Sequence, residues 1–363
     1  MRWSYRIGRI AGIPVQIHVT FLLLVVWIAI SRGLLDGRLA AALTAVALLL
    51  LIFTCVVLHE LGHALAARRF GISTRDITLL PIGGIARLER MPEQPSQEVA
   101  VALAGPAVNV VIAAVLWIVS RGLNHPFLDA VTHGNLLESL LAVNVLMILF
   151  NMIPAFPMDG GRVLRALIAM RLPYERATRI ASGIGQFVAL VFGAAGLFNG
   201  NMMLVLIALF VFIAAGEERT IVQTRVSIQG LPVRAAMVTE FHQLDVNAPL
   251  SLAVEYLMAG SQQDFPVMQD GTPLGVLTRD QLLAAIARHG ASVPVSQVVL
   301  RPMSPLDPDA PLEAALARMR ETGQAAVPVA ESGRLVGLLT SDNVGDLLLV
   351  RQALRRYMSN AAT

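Results

Sequence analysis

His59-Glu60-Leu61-Gly62-His63 sets two imidazoles four residues apart with a carboxylate beside the first. On a helix, positions i and i+4 share a face, so His59 and His63 can hold one Zn²⁺ between them. Glu60 then stands next to the ion as a general base for a water whose pKa the metal lowers towards ~7. The pentapeptide alone also occurs in unrelated chains, and its setting adds weight. It lies in the apolar segment 39–67, and ionisable groups inside a membrane helix are costly and mark function by default. The competing reading makes residues 58–69 an ordinary helix end outside the membrane.

Two histidines leave a tetrahedral site short of a third protein ligand. The candidate is Asp159, in the run Asn151-Met152-Ile153-Pro154-Ala155-Phe156-Pro157-Met158-Asp159-Gly160-Gly161-Arg162. Its prolines and glycines impose irregular backbone, which is tolerated at membrane depth only around a cavity. Asp is equally a good N-cap, so the residue types leave ligand and cap of a helix over 160–171 both open. Cys55 shares the helical face of His59 but reads as a small buried side chain. His18 reads as interfacial. Asn109 and Asn144 are polar groups in apolar helices, which interhelical hydrogen bonding explains as well as catalysis does. His125, His133, His242 and His289 receive no role.

Composition names the elements that must carry these groups. The 363 residues are 55% hydrophobic and 15% charged, against about 25% charged in soluble domains. A membrane-crossing helix needs about 20 apolar residues. Six segments are expected to cross: 16–34, 39–67, 98–120, 136–153, 180–198 and 201–216. The last two are joined by the turn Asn199-Gly200-Asn201. The first is expected to be retained rather than cleaved as a signal peptide.

Every basic residue besides histidine is arginine. Arg2, Arg6, Arg9, Arg68, Arg69, Arg75, Arg87, Arg90, Arg162, Arg165, Arg171, Arg176, Arg179, Arg219 and Arg225 fall on one side of the six spans. Only Arg32, Arg38 and Arg121 fall on the other. The bias of basic residues to the cytoplasm then predicts a multi-pass cell-membrane protein with both termini cytoplasmic. The stretch 72–95, with Pro81 and Gly83-Gly84 between β-branched runs, predicts a short hairpin. With one cysteine there is no intrachain disulfide, and with a formal charge of +3 and no basic run, no nucleic-acid partner is expected.

Residues 217–363 are polar and hold a repeat. Leu244-Asp245, Ala248-Pro249-Leu250, Pro266-Val267, Gly271 and Gly275-Val276-Leu277-Thr278 return as Leu306-Asp307, Ala310-Pro311-Leu312, Pro328-Val329, Gly333 and Gly337-Leu338-Leu339-Thr340. Each copy reads as strand, helix, strand, turn, strand, helix, and the two are expected to pack as a pseudo-twofold pair.

The two-part pattern, His-Glu-Leu-Gly-His followed by Asn151-x-x-Pro154-x-x-Pro157-x-Asp159-Gly160, resembles the site-2 protease family of intramembrane metalloproteases. Gly12-Ile13-Pro14-Val15, His18, Pro81-Ile82-Gly83-Gly84 and Ala104-Gly105-Pro106 with Asn109 are similar to the same family. The bacterial and archaeal branch, which includes the sporulation protease, carries C-terminal CBS domains. The resemblance covers nearly the whole chain. It implies a polytopic α-helical membrane domain over 1–222, with a short β-hairpin, followed by a soluble α/β tandem CBS pair over 223–290 and 291–363.

The resemblance also implies roles. His59, His63 and Asp159 would ligate one Zn²⁺, Glu60 would be the general base, and Asn151 would hold the substrate backbone or steady the oxyanion. The hairpin 76–88 would pair with an unwound peptide. The implied activity is cleavage of a transmembrane segment of a single-span membrane protein in the bilayer. CBS pairs often bind adenine nucleotides through a Thr or Ser followed three residues on by Asp. Here Thr278 and Thr340 are followed by Gln281 and Asn343, so nucleotide binding and a purely structural or homodimerising role both stay open. The rival readings are a CBS-regulated transporter or channel, which leaves the four site residues unexplained, and a member of the family that binds without cutting.

Overall fold

A computed structural model describes residues 3–35, 39–92, 94–120, 135–260, 262–298 and 303–361. Arg2, Arg38, Arg121, His125 and His133 lie outside the described residues, as does the side chain of Arg32. The chain divides into two compact units, Met1–Val222 and Gln223–Thr363.

The first unit opens with two strands, β1 (Ser4–Ile10) and β2 (Ile13–His18). They pair antiparallel across a turn in which Gly12 takes φ +87°. Residues 16–18, expected to begin the first span, instead end β2: Ile13, Val15 and Ile17 alternate with polar or half-buried neighbours, which is a strand period. The first apolar helix, α1 (Val19–Leu35), therefore has 17 residues. Helix α2 (Leu39–Arg69) follows. It leads into β3 (Thr74–Leu80) and β4 (Gly83–Leu88), the hairpin expected over 72–95. β2 and β3 run parallel, with Val15 opposite Ile77, so all four strands form one sheet in the order β1-β2-β3-β4.

Four more helices follow: α3 (Pro95–Ser120), α4 (Leu136–Asn151), α5 (Asp159–Ala169) and α6 (Tyr174–Phe198). A turn at Asn199-Gly200 then leads to α7 (Met202–Ile228). Among the described residues three helices, α2, α3 and α6, are long and apolar enough to cross a membrane. α1 and α4, at 17 and 16 residues, reach only about 24–26 Å at 1.5 Å per residue, against a hydrocarbon core of ~30 Å. α7 is long, but Glu217, Glu218 and Arg219 interrupt its apolar run. In lipid, helices gain little from burying apolar surface and associate through close packing of small residues. Gly62 of α2 lies against Ala104 of α3, where a Cβ would stand 2.7 Å from the Ala104 carbonyl oxygen.

The second unit repeats one motif. β5 (Leu244–Asp245), α8 (Leu250–Ala259), β6 (Phe265–Gln269), β7 (Thr272–Leu277) and α9 (Arg279–His289) make the first copy. In the second, a parallel bridge from Leu306 to Val329 replaces the first strand. It is followed by α10 (Leu312–Thr322), β8 (Ala326–Glu331), β9 (Arg334–Thr340) and α11 (Ser341–Ala361). The registers correspond: Phe265 pairs with Leu277 and Val327 with Leu339. The lead-in segments are exchanged. Val233 N–H donates to Ala310 O and Leu312 N–H to Leu231 O, while Val295 N–H donates to Ala248 O and Leu250 N–H to Val293 O. Val233 accordingly sits in the second copy's core and Val295 in the first's.

Candidate metal centre

α2 buries one face, and His59 and His63 lie on it at 4% and 5% exposure. Their Nε2 atoms are 3.1 Å apart. α5 brings Asp159 in from 96 residues further on, with Oδ2 3.1 Å from His63 Nε2 and 3.3 Å from His59 Nε2. The cap alternative for Asp159 fails on geometry. Met158 holds the N-cap position of α5 without a side-chain cap bond, and Asp159 is in the first turn with its carboxylate turned to the histidines.

The partners of the other ring nitrogens fix the protons. His59 Nδ1 is 2.6 Å from Asn109 Oδ1, and His63 Nδ1 is 2.7 Å from the Val101 carbonyl oxygen. Both partners accept, so each neutral ring carries its proton on Nδ1 and turns the Nε2 lone pair inward. Two lone pairs and a carboxylate oxygen thus converge in a buried space, which is a cation's environment. Bonds of about 2.0–2.1 Å to a tetrahedral zinc require donor separations of about 3.3–3.4 Å, and the three observed separations come within a few tenths of an ångström of that. Gly105 of α3 makes the room: a Cβ there would come within 2.7 Å of His59 Nε2 and overlap the His63 ring. Three nitrogen and oxygen donors of this kind suit Zn²⁺.

Asn109, an open choice in the sequence, proves to be the residue that orients His59. Its Nδ2 donates to Asn144 Oδ1 at 2.9 Å, and Asn144 Nδ2 donates to Leu140 O at 2.8 Å and towards Cys55 Sγ at 3.4 Å. The chain α2–α3–α4 is thereby held by hydrogen bonds that end on a backbone carbonyl, and such partners of a ligating histidine set its orientation and basicity. Cys55 is buried, as its size suggested. His18 bonds Thr20 locally at 2.8 Å.

Glu60 is half-buried beside the histidines, and its Oε2 accepts the Ala86 N–H of β4 at 3.0 Å. Gly84 lets the strand approach: a Cβ there would stand 2.8 Å from Glu60 Cγ. A cavity of about 360 Å³ opens on the group. Its walls include His59, Glu60, His63 and Asp159, the β4 residues Gly83 to Ala86, and Asn151 at the end of α4.

Sequence reading missed Arg165. Counted among the cytoplasmic arginines, it is fully buried and paired with Glu98 and Glu218. Nothing in its local sequence marks this, because both partners are distant in the chain.

In the second unit, Thr278 and Gln281 line a cavity of about 430 Å³ with Asp264, Asp280 and Asp342. Gln281 is also engaged locally: Thr278 Oγ1 accepts its backbone N–H, and its Oε1 accepts the Thr278 backbone N–H at 3.0 Å. At α11, Asn343 N–H likewise donates to Thr340 Oγ1 at 3.1 Å. The four residues thus start two equivalent helices.

Residues 47–135 and 123–192 match peptidase family M50, and residues 233–288 and 295–348 match the CBS domain. The zinc metalloprotease MJ0392 of Methanocaldococcus jannaschii is 31% identical over 345 residues, 95% of this chain and 96% of the relative. Rip3 of Mycobacterium tuberculosis is 31% identical over 96% of this chain and 93% of its own length. Among solved structures, the site-2 protease from Methanocaldococcus jannaschii is similar, with 37% identity, a TM-score of 0.44, and coverage of 60% of this chain and 95% of that one. With full-length relatives and both family models in agreement, the chain belongs to the M50, site-2 protease, family of membrane metalloproteases and carries a tandem CBS module.

Proposed function

We propose that the protein is a zinc-dependent endopeptidase that cuts a membrane-spanning segment of a single-span protein. His59, His63 and Asp159 would be the metal ligands. The observation that carries this is the convergence of three acceptor atoms beside Glu60, in a cavity shared with the β4 strand. A zinc ion there would activate a water and polarise the scissile carbonyl. Glu60, held by the Ala86 N–H, takes the proton of the attacking water and returns it to the leaving amine. Asn151, on the wall of the same cavity, offers an amide donor to the substrate backbone or the developing oxyanion. β4 is an edge strand of its sheet, and a helix must unwind before its carbonyls are free, so an unwound substrate would add to that edge.

We further propose six spans over residues 1–222 with both termini cytoplasmic, α1, α4 and α7 crossing alongside α2, α3 and α6. The arginine bias supports this orientation. Residues 223–290 and 291–363 would be the two CBS copies, with a regulatory or homodimerising role. An adenine nucleotide would lie by Thr278 and Gln281 and, in the other copy, by Thr340 and Asn343. The first cavity supports the volume, while its three carboxylates favour ribose hydroxyls over phosphates.

The test uses purified wild type and Glu60→Gln in detergent with a panel of single-span membrane proteins. Equal zinc in both with cutting only by wild type is expected, the variant losing at least ~10²-fold in rate. Equal cutting by both would remove Glu60 from the mechanism.

A further inference from the structure

α5 carries Asp159 at its first position and Arg165 six residues on. The Arg165 Nε and Nη2 both donate to Glu98 Oε1, at 2.8 and 2.5 Å, and Nη1 donates to Glu218 Oε1 at 2.5 Å. Its guanidinium also lies 5.0 Å from the centre of the Phe156 ring and 4.9 Å from that of Tyr174. Glu98 belongs to the first turn of α3, Phe156 to the loop entering α5, Tyr174 to the start of α6, and Glu218 to α7. One side chain therefore ties together four helices and the loop that delivers Asp159.

Packing alone does not account for this network. Burying a cation and its carboxylate partner is no more stabilising than filling the same volume with apolar groups. Glu98 Oε2, moreover, has no hydrogen-bond partner among the described residues. A charged network does fix one relative placement of its elements, because guanidinium bonds are directional. The placement it fixes here is that of α5 against α3. α5 supplies Asp159, and α3 supplies Gly105, the floor of the metal set, and Asn109, the partner of His59.

We propose that Arg165 is a positioning residue for the metal centre: through Glu98 and Glu218 it holds α5 so that Asp159 Oδ2 stays on the two Nε2 atoms. Glu98 is its fully buried anchor, and Glu218, with 29% of its side chain exposed, is the arm through which α7 bears on that placement. The inference rests on the zinc reading above.

The test compares the full-length wild type, Glu218→Gln, Arg165→Lys and Arg165→Met in detergent. Zinc affinity is read by chelator competition, metal-site geometry by the visible bands of Co²⁺ titrated into the metal-free protein, and folding by metal-free melting. Glu218→Gln and Arg165→Lys are expected to melt near the wild type, to bind zinc about tenfold or more weakly, and to shift the cobalt bands. Zinc affinity and cobalt bands unchanged in both, with only melting lowered, would reduce Arg165 to packing and overturn the proposal. Should Arg165→Met fail to fold, Glu218→Gln and Arg165→Lys decide. A wild type that binds neither metal would overturn the zinc reading and this inference with it, a result distinct from a wild type that binds and variants that bind equally well.

Discussion

Each imidazole of the candidate metal site is held from behind, and the two holders differ. His63 leans on the backbone carbonyl of Val101, which no substitution removes, whereas His59 leans on the side chain of Asn109. Asn109→Ala should therefore free the His59 ring to turn and to change tautomer, lowering zinc affinity about 10–100-fold. Chelator competition measures this, and His63 should keep its partner throughout. The i, i+4 histidines and Glu60 were legible in the sequence because all three are local to one helix. Asp159 was half legible: its surroundings pointed to a cavity, but ligand and cap use the same residue type. The roles of Asn109 and Arg165 were not legible, since each depends on a contact made 50 or more residues away.

The hairpin gives Glu60 its only fixed partner among the described residues, the Ala86 N–H. That N–H lies on the outer edge of β4, while the inner edge pairs with β3. Proline is tolerated at a sheet edge where no ladder bond is lost. Ala86→Pro should thus leave the sheet and the zinc content intact and release Glu60, slowing cleavage about ten- to a hundredfold. Zinc content and single-turnover cutting, measured on the same preparation, check it. The hairpin itself was readable from Pro81 and Gly83-Gly84 between apolar runs. Its extension by β1 and β2 was missed because β2 runs straight into α1. The last three residues of β2, Gln16 to His18, were there absorbed into an apolar helix, although Gly12 and the alternation of Ile13, Val15 and Ile17 carried the signal.

At the scale of the whole chain, the uneven distribution of charge separated a membrane unit from a polar one, and the 62-residue repeat gave the second unit its two copies. The span count was less readable, because α1 and α4 are short and the apolar run of α7 is cut at Glu217, Glu218 and Arg219. The polar unit carries its own electrostatic signature. Burial pushes the Asp264 carboxyl above its ordinary range, and the like charges of Asp342 and Asp280 push it the same way. A raised carboxylate pKa costs stability wherever the group is ionised in the folded state. The cost is relieved as pH falls through the raised folded value towards the unfolded value of ~3.9. Asp264→Asn should accordingly raise the melting temperature of residues 223–363 near pH 7, with the gain shrinking under acid. Calorimetry of the full chain across pH follows it, and a gain that grows on acidification would contradict the assignment.

The central claim is that two imidazole nitrogens and one carboxylate oxygen hold a single zinc. X-ray absorption at the zinc edge tests it most directly, on the full chain and on Asp159→Ala. One zinc per chain is predicted, with two imidazoles and oxygen donors at about 2.0–2.1 Å, and a marked loss of bound metal in the variant. A sulfur ligand from Cys55, or zinc retained unchanged in Asp159→Ala, would contradict the account.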